Sequence, residues 1–476
     1  MKRYEQLVEE ITTSVLSGVL QAGDRLPSVR QTSASRGVSP STVFKAYYLL
    51  EAQGLIRARD RSGYYVTGKL KAYPLEIESA PALDEQLVDV DVSDRVLQVL
   101  GATLRRDMVP FGSAFASPML FPHARLARVM AATVQRLDPW SSVDDLSPGN
   151  ARLRRAIALR YLADGLQVHT DDIVITNGAL EALNLCLGVV TKPGDTVVVE
   201  SPTFYAALQS LERAGLRAIE VPTHPREGMD LAALESVLTR HKPAACWCMT
   251  NFQNPMGSLM PEEKKKALVE LLTRHGVPLI EDDVYGELYF GTKRPRPAKA
   301  FDTEGIVMHC SSFSKSLAPG FRVGWVMGGR YTKVITRDKM ALSLATAAST
   351  QATLAAYLEK GGFDRHLRQL RQTLAMQQRE LMEAIARHFP AGTRATRPLG
   401  GYFLWVELPG EVDVLEIHRL ALSHGISIVP GPVFSSSGHF RNCMRLNFGH
   451  PWDVRMAGGI ATLGKLIASH KPARPN

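Results

Sequence analysis

The 476-residue chain has no apolar run of about 18 residues, so no helix of membrane-spanning length is expected. Cysteine is scarce: Cys186, Cys246, Cys248, Cys310 and Cys443 form an odd set scattered through apolar stretches. They fit buried, reduced thiols of a cytosolic protein better than a disulfide framework. Cys246 and Cys248 make a C-x-C, but no second ligand pair follows, so no metal site is expected. The opening MKRYEQLVEEI is charged and amphipathic and lacks the apolar centre of a secretory leader. A cytoplasmic location is therefore the expectation. Internal repeats and low-complexity segments are also missing.

What is present is ordinary in bulk, with 45% hydrophobic and 22% charged residues. The length exceeds what one hydrophobic core serves, so two or three domains are expected. The net charge of +9 is unevenly spread, because residues 1–71 hold eleven lysines and arginines against six acids. A basic terminal module hints at nucleic acid, although charge alone also describes a solvated face.

Leu7, Ile11, Val15 and Leu16 recur at helical spacing and predict a first helix. Pro27 and Ser28 fit the start of a second, running to about Arg36 and closed by Gly37. Ser39 can cap a third from Pro40 to about Gln53. LIRARD and GYYVTG then alternate as a short hairpin around Asp60 to Gly63. This order suits a winged helix-turn-helix, whose second turn-pair helix enters the major groove. GDRLPSVR, GVSPSTVFKAYYLLEAQGLI and SGYYV resemble the GntR-type winged helix over nearly its whole length. The resemblance implies that Arg30 contacts a phosphate, and that Ser39, Ser41, Thr42 and Lys45 meet DNA at the recognition helix. It places Ser62 and Gly63 at the wing tip. Pro40, which cannot donate a hydrogen bond to a base edge, stands where many members carry a base-reading arginine or another polar residue. A winged helix used only for protein contacts is the alternative.

Residues 69–107 read as a linker with a helix from Val88 to Arg105. From Met108, the apolar runs DIVIT, TVVVE, ACWCMT, PLIEDD and IVMHCSS alternate with helical stretches. Such runs predict an α/β body, 108–476, with a largely parallel sheet buried on both faces. A smaller C-terminal α+β subdomain is expected from about residue 360.

SSFSKSLAPGFRVGW, residues 311–325, resembles the lysine segment of fold-type I enzymes that carry pyridoxal 5'-phosphate, the aspartate aminotransferase superfamily. A Schiff-base lysine needs hydroxyls and a cation nearby to hold the phosphate, and Ser312, Ser314 and Arg322 surround Lys315. In PLIEDDVYGELYF, the resemblance pairs Asp282 with the pyridine N–H and Tyr285 with the ring oxygen. Asp283 is the competing acid, and the resemblance favours Asp282, whose three-residue spacing to the tyrosine matches the family. Asn254, in NPMG, is implied as a second partner of the ring oxygen. Gly178, Ala179 and Leu180, at a strand-to-helix junction, can present backbone N–H groups to the phosphate. Phe204 matches the aromatic that stacks on the ring, with Tyr205 as alternative. Arg445, in NCMRLNFG, matches the arginine that binds a substrate α-carboxylate.

A GntR-type winged helix ahead of a fold-type I aminotransferase-like body is the arrangement of the MocR family of bacterial regulators, which the chain resembles over nearly its whole length. The resemblance implies a regulator that binds double-stranded operator DNA and senses pyridoxal phosphate, an amine or an amino acid through aldimine chemistry at Lys315. It also implies a homodimer, with domains exchanged head-to-tail in some relatives. The other readings are a working aminotransferase with an accessory DNA-binding domain, and a cofactor-holding protein without regulation.

Overall fold

A computed structural model describes residues 3–470 apart from Gly18, Gln53, 60–62, 68–72, 83–84 and 102–104. The chain folds as two units, one formed chiefly by the residues up to Pro74, with Ile385–Arg387 assigned to it, and the other by the rest from Leu75 on.

The first unit holds α1 (Arg3–Leu16), α2 (Val29–Arg36), α3 (Pro40–Ala52) and the strands β1 (Ile56–Arg59) and β2 (Gly63–Val66). Ser28 starts α2 through a capping box with Gln31, and Gly37 ends it in the left-handed region, φ 60°. The Ser39 hydroxyl accepts from the Thr42 N–H at 3.2 Å, which caps α3. β1 and β2 pair antiparallel, Ile56 opposite Val66. The GDRL segment joins them, with Leu26 N donating to Tyr64 O at 2.8 Å. Leu7 and Ile11 of α1, Leu26, Val43, Tyr47, Leu50 and Val66 form the core. Within it the Tyr47 hydroxyl donates to Pro27 O at 2.8 Å and lies 2.7 Å from Thr32 Oγ1, tying α2 to α3.

The second unit contains β3 (Leu75–Glu76), β4 (Leu87–Asp89), β5 (Ile173–Thr176), β6 (Thr196–Ser201), β7 (Arg217–His224), β8 (Gly228–Met229), β9 (Ala245–Cys248) and β10 (Leu279–Asp282). It continues with β11 (Val307–Ser312), β12 (Gly324–Met327), β13 (Arg394–Ala395), β14 (Phe403–Glu407), β15 (Val429–Pro430) and β16 (Cys443–Asn447). Among the described residues, the large sheet has the order β4-β7-β6-β9-β10-β11-β12-β5, with β8 beside β7. β7, β6, β9, β10 and β11 run parallel, and β12 is antiparallel to both of its neighbours. β5, β6, β9, β10 and β11 are buried along their whole lengths, which explains the nearly continuous apolar sequences of β5, β6 and β9. The smaller sheet, β15-β16-β14-β13-β3, takes four strands from after the long helix Gly362–His388 and β3 from far before it. No helix among the described residues is long and apolar enough to cross a membrane.

Much of the stretch read as linker is built into the second unit. β3 pairs with β13, Leu75 opposite Arg394, and β4 pairs with β7, Leu87 opposite Ile219. The helix expected from Val88 starts instead at Ser93, as α4 (Ser93–Gly101). The Glu212 carboxylate explains that start: it accepts from Val92 N, Ser93 N and Ser93 Oγ, each at 2.9 Å.

Candidate functional site

Open α/β sheets bind ligands beyond the carboxyl ends of their strands, and that edge is where the expected site residues gather. Gly178 follows β5, Phe204 follows β6, Asn254 follows β9, Asp282 ends β10, and Ser312 ends β11 just before Ser314 and Lys315. Five separate sequence motifs thus meet because the parallel strands all point the same way.

Gly178, at φ +88°, is the N-cap of the helix Ala179–Val190. A side chain there would put a Cβ 2.4 Å from Arg322 Nη2. A Cβ on Gly324 would lie 2.6 Å from Gly178 C and 2.7 Å from Ala179 N. Two glycines therefore let Arg322 and β12 close on the start of this helix, whose N–H groups and dipole favour an anion. Arg322 donates to Ser314 Oγ at 3.1 Å and to Asn177 O at 3.2 Å. Ser312 Oγ accepts from Ser314 N at 3.3 Å. Leu180 is exposed on the first turn.

Lys315 Nζ donates to Ala114 O at 2.9 Å and sits 4.0 Å from the Phe115 ring centroid and 5.9 Å from that of Tyr285. Burial brings its pKa down to about 7, helped by Arg445 and Arg322 and opposed by Asp282. Asp282 is buried and pushed up to about 7 by desolvation, with Asp283 adding to the rise and Val284 N and Lys315 opposing it. The two neighbouring acids have different partners. Asp283 accepts from Asn251 Nδ2 at 2.9 Å and pairs with Arg294 at 3.5 Å, whereas Asp282 accepts from Val284 N at 3.3 Å and acts on Lys315. Below them, His309 Nδ1 meets Glu281 Oε2 at 2.8 Å and its Nε2 meets the Tyr161 hydroxyl at 2.8 Å, all buried.

Tyr285 is buried edge-on to Tyr402 and Phe403, at 5.3 and 5.7 Å between centroids. Phe204 is the N-cap of the helix Tyr205–Arg213 and is partly buried. Tyr205 is more deeply buried, with its ring 5.8 Å from Phe434 and 5.9 Å from the Arg445 guanidinium. Arg445, on β16, is fully buried. It donates to Asn254 Oδ1 at 3.1 Å, Gly112 O at 3.2 Å and Ser113 O at 3.4 Å, and lies 4.0 Å from the Phe403 ring.

The residues 112–115 are the part of this site that the motifs did not reveal. Their carbonyls accept from Arg445, Lys315, Tyr402 and Asn447, the last at 2.9 and 2.8 Å. One available signal was glycine in FGSAF, since a Cβ on Gly112 would lie 3.1 Å from the Ile428 backbone.

In the first unit, Arg30, Ser39, Ser41 and Lys45 are exposed, and Thr42 is partly so. Ser39 Oγ is 2.9 Å from Ser41 Oγ and 2.8 Å from Thr42 Oγ1. The Lys45 ammonium lies 4.2 Å from the Tyr4 ring centroid. Gly63 opens β2 at φ +101°, a conformation other residues rarely adopt. Ser62 lies outside the described residues.

Residues 3–66 match the family described as bacterial regulatory proteins, gntR family, and residues 143–451 match aminotransferase class I and II. Fold and site thus define a winged helix-turn-helix module joined to a fold-type I aminotransferase domain. The chain is 46% identical to the HTH-type transcriptional regulator YdcR of Escherichia coli (strain K12), over 98% of this chain and 99% of that protein. It is 37% identical to YjiR of the same organism, over 98% and 99%. The crystal structure of LysN, an alpha-aminoadipate aminotransferase from Thermus thermophilus complexed with N-(5'-phosphopyridoxyl)-L-leucine, is similar with a TM-score of 0.71. It is 30% identical, over 78% of this chain and 94% of that one. The chain belongs to the MocR-type GntR family of transcriptional regulators.

Proposed function

We propose that this regulator binds double-stranded operator DNA and carries pyridoxal 5'-phosphate on Lys315, where it senses an amine or an amino acid. The observation that carries the reading is the strand-end site itself, where Lys315 follows β11 close to the charges of Asp282, Arg322 and Arg445 and burial lowers its pKa to about 7. An uncharged amine is the nucleophile that imine formation needs, and an ordinary surface lysine supplies little of it at neutral pH.

The residues fit the group. The glycine-shaped helix start at Gly178, Ala179 and Leu180, with Ser312, Ser314 and Arg322, would hold the phosphate. The Asp282 carboxylate would accept a hydrogen bond from the ring N–H and keep that nitrogen protonated, and Phe204 would cover the ring. Tyr285 and Asn254 would face its oxygen. When bound, pyridoxal phosphate supplies a carbonyl carbon that amines attack and a ring that absorbs electrons. Arg445 would orient a ligand carboxylate by planar two-point recognition. That LysN was crystallised with a phosphopyridoxyl amino acid supports the same ligand chemistry here.

A ligand changes DNA affinity only if it binds two conformations of the protein unequally. The sensed molecule is therefore one whose contacts with Lys315 and Arg445 differ between a DNA-bound and a free form. In a homodimer, including a head-to-tail exchanged one, two winged helices would meet two half-sites. A transamination half-reaction at the same residues is the second reading, favoured by the joint presence of Lys315, Asp282, Tyr285 and Arg445. Duplex binding of the cofactor-loaded protein, measured across a panel of amines and amino acids, tests the proposal. At least one ligand is expected to shift the affinity of the wild type and not of Lys315→Ala. A shift of equal size in the variant would contradict it.

A further inference from the structure

We propose that Phe44, flanked by Tyr48, reads thymine 5-methyl groups in the major groove, replacing the hydrogen-bond readout that Pro40 cannot supply. The inference rests on the DNA-binding reading above. α3 has two distinct faces. Val43, Ala46, Tyr47 and Leu50 are at most 1% exposed and face the unit's core. Ser41, Phe44, Lys45 and Tyr48 recur three and four residues apart on the opposite face. Phe44 and Tyr48 are each 57% exposed, one helical turn apart, and neither belongs to the core cluster. Single exposed apolar residues are common, but two large aromatics aligned at the middle of a recognition helix's outer face form a surface.

The polar groups around them are largely turned to local partners. Ser39, Ser41 and Thr42 share hydroxyl hydrogen bonds, and the Lys45 ammonium lies over the Tyr4 ring. Pro40 has no side-chain donor. The outer face of α3 thus sets the apolar surface of Phe44 and Tyr48 beside Ser41 and Lys45. The surrounding charge selects the partner: residues 1–71 carry eleven lysines and arginines against six acids, and Arg30 is exposed on α2. A basic module with an apolar reading face suits duplex DNA, where the thymine methyl is the apolar group on the major-groove floor and phenylalanine is a residue type that contacts it. Recognition helices reach base edges from their N-terminal residues, which makes Phe44 the reader. Tyr48, one turn further along, has a ring that can extend the apolar contact and a hydroxyl that can reach the backbone.

The full-length protein is used to enrich duplexes from a random pool. The enriched duplex is then remade with uracil for thymine at one position at a time, which removes only the methyl group. The wild type is expected to lose about tenfold in affinity at one or two positions per half-site. Phe44→Ala is expected to bind the thymine duplex about as weakly as the wild type binds the uracil one, with no further loss on uracil substitution. Phe44→Leu should keep part of the discrimination. Phe44 is exposed, and an unchanged thermal transition verifies that each variant folds. Enrichment of a duplex whose uracil forms bind the wild type equally well overturns this inference and leaves the DNA-binding reading standing. Failure to enrich any duplex overturns both. Unchanged DNA binding by Phe44→Ala together with loss of self-association would make the patch a contact between copies, and would also overturn it.

Discussion

The amine of Lys315 donates to the backbone carbonyl of Ala114 at 2.9 Å, across 201 positions of sequence. The same short segment occupies Arg445 through Gly112 and Ser113. The lysine and the arginine expected to meet a ligand are thus both held by carbonyls of one stretch of chain.

Because burial lowers the Lys315 pKa to about 7, its uncharged fraction grows as pH rises through neutrality, well below the ordinary lysine range. Pyridoxal phosphate attachment, trapped by borohydride after short exposure, should therefore speed up with a midpoint near neutral pH. A midpoint in the ordinary lysine range would contradict a buried, desolvated amine.

Arg445→Lys keeps the charge and loses the planar fork. Binding of α-amino acids should weaken roughly ten- to a hundredfold, while amines lacking a carboxylate are affected little. Titration of paired ligands, an amino acid and its decarboxylated amine, checks the split. Equal losses for both would assign Arg445 a structural role.

Glu200 is buried on β6, and desolvation pushes its pKa up to about 8 from 4.5. The folded state therefore holds a proton that the unfolded state has released between those values, and stability falls as pH rises through that window. Glu200→Gln keeps the shape and removes the titration. In cofactor-free protein the variant should gain thermal stability over the wild type at about pH 9 relative to about pH 6. A pH-independent difference would contradict the raised pKa.

In the first unit, Tyr47→Phe removes the hydroxyl that bridges Pro27 O and Thr32 Oγ1 inside the core. Leaving the buried Thr32 hydroxyl and the Pro27 carbonyl short of a partner should cost about 1–3 kcal/mol. The expected readout is earlier unfolding by hydrogen exchange in residues 3–66, with the second unit unchanged. Exchange rates in α2 and α3 equal to those of the wild type would count against the bridge.

Arg30→Ala should weaken duplex binding uniformly across sequences and lower the salt dependence by about one counterion. A change in sequence preference instead would make Arg30 a base reader.

The fold was legible where local sequence carries the cause. β5, β6 and β9 read as nearly continuous apolar runs because both faces are covered, and the capped, glycine-terminated α2 announces itself in PSVRQTSASRG. β3 and β4 were not legible, since two- and three-residue edge strands have no pattern and exist only through β13 and β7. The start of α4 depends on the carboxylate of Glu212, more than a hundred positions away. The site divides the same way. Lys315, Asp282 and Arg445 stand in recognisable strings, whereas Gly112, Ser113 and Ala114 enter through backbone carbonyls, which no side-chain motif encodes. The different commitments of Asp282 and Asp283 required Asn251 and Arg294 to be placed in space.

The most direct test of the central claim is the absorbance spectrum of the purified protein with added pyridoxal phosphate, before and after borohydride, beside Lys315→Ala. A visible band that borohydride abolishes, absent from the variant, with the reduced adduct recovered on the peptide containing Lys315, is the expected result. A spectrum without any lysine-dependent band would contradict the cofactor assignment and leave a winged-helix regulator whose aminotransferase fold no longer carries the cofactor.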